Sequence, residues 1–144
     1  MSTLDELTRV LQASISPVAL VSGVGLLILS LTNRFGRVTD RLRELAASER
    51  SAPGGGVRVG EQIQIFLRRA RLLRAAISCA AACALLAGVE VLLIFGMAVF
   101  YLQLHHLVLF CFALSLLGLI AALLLFLADL NLSLRAVETE LHER

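Results

Sequence analysis

The chain has 144 residues, 58% of them hydrophobic, with a mean hydropathy of +0.87 and a formal net charge of +2. That is too apolar for a soluble domain of this size, and the apolar residues fall into three long runs, so the composition excludes a soluble globular protein and implies an integral membrane protein. All thirteen basic residues are arginine, and ten of them lie between the first and second runs.

The amino-terminal segment, residues 1–14, carries a helix signal of its own. Thr3 and Glu6 have capping-box spacing, and Leu4, Leu7, Val10 and Leu11 share a helical face, which predicts a short amphipathic helix lying on the membrane surface. Ser16 followed by Pro17 then reads as a helix cap and first helical residue, so the first span is expected to restart there. Asp5 and Glu6, with Arg9 as the only basic residue and no cleavage pattern after the run, argue against a signal peptide.

The apolar runs are Ile15 to Leu31, Ala75 to Leu102 and Leu107 to Leu127, each near the ~20 residues that cross a bilayer. The predicted spans are 15–33, 75–102 and 107–127, joined by an arginine-rich segment over 34–74 and followed by a tail over 128–144. By the positive-inside rule the arginine-rich segment is expected in the cytoplasm, with the amino terminus and the Leu102–His106 hairpin outside and the carboxyl terminus inside.

Apolar residues continue past the runs at steps of three and four. They do so at Phe35, Val38, Leu42 and Leu45, at Ile63, Phe66, Ala70, Leu73 and Ile77, and at Leu127, Leu130, Leu134, Val137 and Leu141. This predicts an all-α membrane protein whose three transmembrane helices extend roughly 20 Å, at 1.5 Å per residue, into a cytoplasmic helical bundle. The stretch SAPGGGVRVG, residues 51–60, is expected to be the turn at its tip. Its glycines follow no strand and precede no Lys-Ser/Thr, which argues against a phosphate loop.

Charge suggests how the bundle pairs. The tail carries Asp129, Glu138, Glu140 and Glu143, a match for the two arginine-rich helices, while Arg37 with Asp40 and Arg41 with Glu44 offer pairs three residues apart, worth tenths of a kcal/mol each. The surplus of arginine at a membrane boundary points to anionic lipid headgroups, with Asn33, Arg34, Arg37, Arg41, Arg68 and Arg69 as candidates. No aromatic residues interleave with the arginines in the manner of nucleic-acid binding.

Glu90 lies near the middle of the second run, where a carboxylate costs at least ~2.5 kcal/mol and is normally turned to protein, water or a partner. Three readings stay open for it. It is a protonated structural group bonded to a backbone carbonyl or to a hydroxyl such as Ser22 or Ser115; it is an ion or proton site shared by several copies; or it meets a partner's intramembrane cation. Ala76, Ala80, Ala84 and Gly88 form a stripe at four-residue spacing beside it, expected to be a helix contact face. Cys79, Cys83 and Cys111 read as small packing residues, and the adjacent His105 and His106 make a poor chelate, so no metal or cofactor is expected.

Residues 15–45, ISPVALVSGVGLLILSLTNRFGRVTDRLREL, and residues 68–76, RRARLLRAA, resemble the hallmark of a widespread bacterial family of small three-span membrane proteins, domain of unknown function 2721. The matching positions are Ser16, Pro17, Gly23, Gly25, Asn33, Arg34, Gly36, Arg37, Asp40 and Arg41. The resemblance implies a bacterial inner-membrane protein and supplies no activity. Gly23 and Gly25 are expected to allow close helix approach, and Gly36 to mark packing against the helix just beyond the membrane.

No HExxH helix, intramembrane aspartate pair or nucleotide loop is present, so no enzymatic role is expected. Two classes of function remain. One is a homo-oligomeric ion- or proton-permeable channel organised around the second span and Glu90; the other is a non-catalytic scaffold or regulatory subunit that engages a cytoplasmic protein through its helical stalk.

Overall fold

The computed structural model of the protein describes the backbone of residues 3–51, 56–101 and 103–142, and the side chains of residues 5, 8–48, 60, 62–101 and 103–133. Three helices account for this backbone apart from Tyr101, Gln103 and Leu104: α1 Thr3–Ser51, α2 Gly56–Phe100 and α3 His105–His142. Each contains a stretch long and apolar enough to cross a membrane, Thr8–Ser48, Gln62–Phe100 and His105–Ser133, with peak mean hydropathies of 2.0, 2.4 and 2.9.

α1 corrects the expected break after residue 14. The helix runs through Ser16 and Pro17 without interruption, so residues 1–14 do not form a separate amphipathic helix. A proline inside a helix removes one N–H bond and crowds the carbonyl four residues earlier, but in apolar surroundings unwinding would strand more backbone groups than the proline does. Pro17 is fully buried, and Ser14, one turn before it, donates its hydroxyl to the Val10 carbonyl at 2.9 Å. The side chains of Thr3, Leu4, Glu6 and Leu7 lie outside the described residues.

The turns are shorter than the sequence suggests. α1 ends at Ser51, two residues before Pro53, and α2 already begins at Gly56, so helix occupies much of the expected 51–60 turn. At the other connection Tyr101 follows α2 with φ 53°, the left-handed conformation that commonly stops a helix, and α3 starts where the Leu107 and Val108 N–H groups reach the Leu104 carbonyl. His105 and His106 therefore belong to the first turn of α3.

Burial follows an alternation of three and four residues. On α2 the buried positions are Leu73, Ala76, Ala80, Cys83, Ala87, Glu90 and Ile94. On α3 they are Cys111, Ser115, Ala122 and Asp129, with Gly118 half-buried between them, and on α1 they are Ser14, Pro17, Val24, Leu31 and Val38. A seven-residue advance turns a helix by about 700°, which returns it almost to the same face, whereas repeated steps of four advance the face by about 40° each time. The four-residue stripe therefore drifts off the contact face: Ala76 and Ala80 are buried, Ala84 is half-buried and Gly88 is exposed.

The outward faces carry large side chains, among them Leu26, Leu92, Phe100, Phe110 and Leu124, each more than 60% exposed. A soluble monomer rarely exposes apolar surface on this scale, whereas a lipid-facing helix does so normally.

The helices contribute to two compact units, Met1–Ile28 with Cys79–Ala121, and Leu29–Ser78 with Ala122–Arg144. In the first unit, α2 and α3 approach most closely at Gly118, where an added Cβ would sit 3.4 Å from the Cys83 Cβ and 3.5 Å from the Cys79 carbonyl oxygen. One turn earlier Ser115 donates its hydroxyl to the Cys83 carbonyl at 3.5 Å. The close approach expected of Gly23, Gly25 and Gly88 is not made within the chain, because a Cβ at any of the three would meet nothing within 4 Å; the same holds for Gly36.

In the second unit Val38 and Leu73 are buried and Phe35, Leu42, Leu45, Ile63, Phe66, Ala70 and Ile77 half-buried, at the positions expected of the α1 and α2 seams, with Leu31 and Ala76 buried in addition. On α3 the expected seam is met only in part: Leu130 is half-buried, but Leu127 is 52% exposed, and Asp129 takes the fully inward position. Leu134, Val137 and Leu141 have side chains outside the described residues.

A contrast between two glycines tests this packing. Gly118→Leu should lower stability by about 1–3 kcal/mol through overpacking against α2, while Gly96→Leu, where an added Cβ meets nothing within 4 Å, should leave it unchanged or slightly higher. Unfolding of both variants by SDS titration in mild detergent measures the difference.

Candidate functional site

The site grows from the inward turn of Asp129 in the second unit. Its side chain is fully buried on α3, and one arginine from each of the other helices faces it. Arg69 of α2 donates from Nε to Asp129 Oδ1 at 3.2 Å, and Arg34 of α1 brings Nη1 to 3.6 Å from Oδ2. The second contact is an ion pair too long for a hydrogen bond, and it leaves both Arg34 Nη1 and Asp129 Oδ2 enclosed without a hydrogen-bond partner among the described residues.

Aromatic rings hold the two guanidinium groups from the side. Arg34 lies over the Phe126 ring at 5.3 Å and Arg69 over the Phe66 ring at 5.8 Å. Phe126 is on α3 one turn before Asp129, so the same helix supplies Arg34 with a ring and with a carboxylate. With side-chain exposures of 25% for Arg34 and 15% for Arg69, both cations are mostly withdrawn from solvent.

The two arginines also border an open recess of about 410 Å³, lined by Arg34, Arg37, Val38 and Arg41 from α1 and by Phe66 and Arg69 from α2. Arg41 is held by Glu44 at 2.8 Å, as its spacing suggests. The expected pair of Arg37 with Asp40 does not form. Asp40 instead faces Arg43 at 3.8 Å, and Arg37 has no ion pair among the described residues. Arg37 lines the recess while Asp40 does not, so the two side chains leave the helix in different directions. Four guanidinium groups are thus set against the carboxylates of Asp129 and Glu44, an excess of two positive charges.

The remaining boundary candidates do not join this group. Asn33 and Arg68 are exposed and do not line the recess. Arg34 and Arg69, singled out from the sequence as headgroup ligands, are first of all partners of Asp129.

Glu90 lies in the first unit and is only 5% exposed, so its side chain points into the protein and not into lipid. Its Oε2 has no hydrogen-bond partner among the described residues. The two hydroxyls considered for it are committed elsewhere: Ser22 donates to the Val18 carbonyl at 3.2 Å and Ser115 to the Cys83 carbonyl. Cys83 is seven residues before Glu90 on α2, about 10 Å of helix rise, so Ser115 sits at a different level. Cys79, Cys83 and Cys111 are free thiols, the last two buried in the same unit.

Asp129 is the residue to which sequence reasoning gave too little weight. The signal for it is the small and polar series Cys111, Ser115, Gly118, Ala122 and Asp129, whose steps of four, three, four and seven trace one face of an otherwise uniformly apolar helix.

Removing one member of a buried ionic group leaves its partners uncompensated. Asp129→Asn should therefore destabilise the protein by about 3 kcal/mol. Arg69→Gln should cost more than Arg34→Gln, since it removes the hydrogen-bonded and less exposed partner. The double variant Asp129→Asn/Arg69→Gln should lose less than the sum of the two single variants, as expected for groups in contact. Unfolding midpoints of the four variants in one detergent test the order.

A family model described as protein of unknown function (DUF2721) matches residues 14–139. No curated protein and no solved structure matches the chain. The matched region contains the arginine-rich recess, Asp129, Glu90 and most of all three helices. The chain belongs to the DUF2721 family of proteins of unknown function, as a member with three helices long and apolar enough to span a membrane.

Proposed function

We propose that the protein is a non-catalytic, multi-pass scaffold or regulatory subunit of the bacterial inner membrane, acting through its arginine-rich helical end. The observation that carries this reading is the enclosed Asp129 with Arg34 and Arg69, which ties one residue from each helix into a single ionic group. Such a group fixes the relation of the helices at that end and makes them a preorganised surface. In this reading the arginine-rich end is cytoplasmic by the positive-inside rule, and the amino terminus is outside.

The same reading makes the protein a homo-oligomer with a cytoplasmic protein partner. Gly23, Gly25 and Gly88 are small residues on open positions of α1 and α2, the kind of face on which helices of two copies pack in lipid.

A channel organised around Glu90 is the second reading, and the unpartnered Oε2 favours it. Against it, the side chain is enclosed by its own chain, whereas a permeation site needs the carboxylate at a pore or cavity.

One set of variants separates the two. Leu42→Asp, in the α1 seam of the second unit, should abolish oligomer formation and partner capture in native membranes, while Glu90→Gln leaves both intact. Proteoliposomes holding wild-type protein should show no ion or proton flux above empty vesicles. A flux that is present in wild type and lost in Glu90→Gln would replace the scaffold with the channel.

A further inference from the structure

The recess beside the ionic group has the composition of an anion site. It is lined by Arg34, Arg37, Arg41 and Arg69, with Val38 and Phe66 as its apolar wall. Among the described residues, the carboxylates that reach these arginines, Asp129 and Glu44, satisfy only half of the charge. Arg37 has no ionic partner among the described residues, and Arg34 meets Asp129 at a distance that leaves its Nη1 without a hydrogen bond. Arg37 and Arg41 are exposed and Arg34 keeps one enclosed N–H group without an acceptor among the described residues, so the recess offers donors that an anion can take.

The chemistry of the lining selects the anion. Guanidinium groups present planar, paired N–H donors that match the oxygens of a phosphate group, and several converging on one recess favour phosphate over a single carboxylate. Position then selects its source. Arg34 follows Leu31, the last residue of the first apolar run, by three residues, or about one helical turn, and Arg37 and Arg41 follow within about two turns more. That is the depth at which lipid phosphates lie beyond the hydrocarbon. Val38 and Phe66 offer the apolar contact that a glycerol backbone and the top of an acyl chain require, and that a free phosphate ion does not.

We propose that the recess between α1 and α2 holds the phosphate headgroup of an anionic lipid, with Arg37 and Arg41 as its exposed ligands and Arg34 and Arg69 as the inner wall that Asp129 positions. The inference rests on the arginine-rich end lying at the membrane boundary. It does not require that the protein act as a scaffold, so it can fail or hold independently of partner capture.

The test uses the whole protein in nanodiscs of phosphatidylcholine, titrated with fluorescent phosphatidic acid or phosphatidylglycerol. Arg37→Gln/Arg41→Gln removes the two exposed ligands and spares Asp129's partners. Arg71→Gln/Arg74→Gln removes the same charge from exposed positions that do not line the recess. The recess pair should weaken lipid binding at least about tenfold more than the control pair, the effect of losing charge-assisted hydrogen bonds in addition to surface attraction. Equal losses in the two pairs would show attraction by bulk charge alone and overturn the site. Inorganic phosphate should neither stabilise the wild-type protein in zwitterionic detergent nor displace the lipid at millimolar concentration. Phosphate protection that disappears in Arg37→Gln/Arg41→Gln would overturn the lipid assignment in favour of a soluble phosphate ligand.

Discussion

Asp129 is the constraint on which the second unit depends. A carboxylate so placed is costly in an apolar helix, and the cost is offset only where cations meet it with the right geometry. Arg69 supplies a charge-assisted hydrogen bond and Arg34 a longer ionic contact. Because these partners come from two different helices, the rotation of α3 and its level against α1 and α2 in this unit are specified together. Sliding α3 by one turn would shift the carboxylate about 5 Å and break both contacts. A buried Leu at the same place would tolerate such a slip far better.

This specification matters because hydrophobicity cannot supply it. Lipid is as apolar as a leucine side chain, so a membrane helix gains little by hiding one leucine in preference to another. In α3 the consequence is plain: Leu109, Phe110, Leu117 and Leu124 face outward, while Cys111, Ser115, Ala122 and Asp129 face inward. Small residues let the backbones approach, and polar ones find partners across the gap. Gly118 shows the first effect against Cys79 and Cys83, and Ser115 shows the second against the Cys83 carbonyl.

The same physics separates what could be read in the sequence from what could not. The three long helices were legible because twenty-residue apolar runs have few alternatives, and the seams of α1 and α2 beyond the spans were legible because polar residues flank Val38 and Leu42 and arginines recur at 68, 69, 71 and 74 around Ala70 and Leu73. The phase of α3 was not, since nearly every residue before Asp129 is apolar and an apolar pattern placed Leu127 inside. Pro17 misled for a related reason. In a soluble chain a Ser-Pro pair between two helical patterns is good evidence for a new start, but within α1 the apolar surroundings favour keeping the helix whole. Of the candidate site, the arginines were legible and their division of labour was not, because spacing along one helix cannot reveal that Arg34 and Arg69 share an aspartate on another.

The two buried acids show how differently the chain treats the same chemical problem. Asp129 has two cations, one hydrogen bond and rings that hold those cations in place. Glu90 occupies an equally regular inward position on α2, yet its neighbours on the seam are Ala87 and Ile94, and no hydroxyl or cation among the described residues reaches its Oε2. The arginine recess presents the reverse imbalance, with its cations in excess of the carboxylates that reach them within the described residues. The recess is open and lined for an anion, while the Glu90 position is closed around a single carboxyl group. That difference in access sets the two apart: an anion can reach Arg37 and Arg41 from outside, whereas the Glu90 side chain is only 5% exposed.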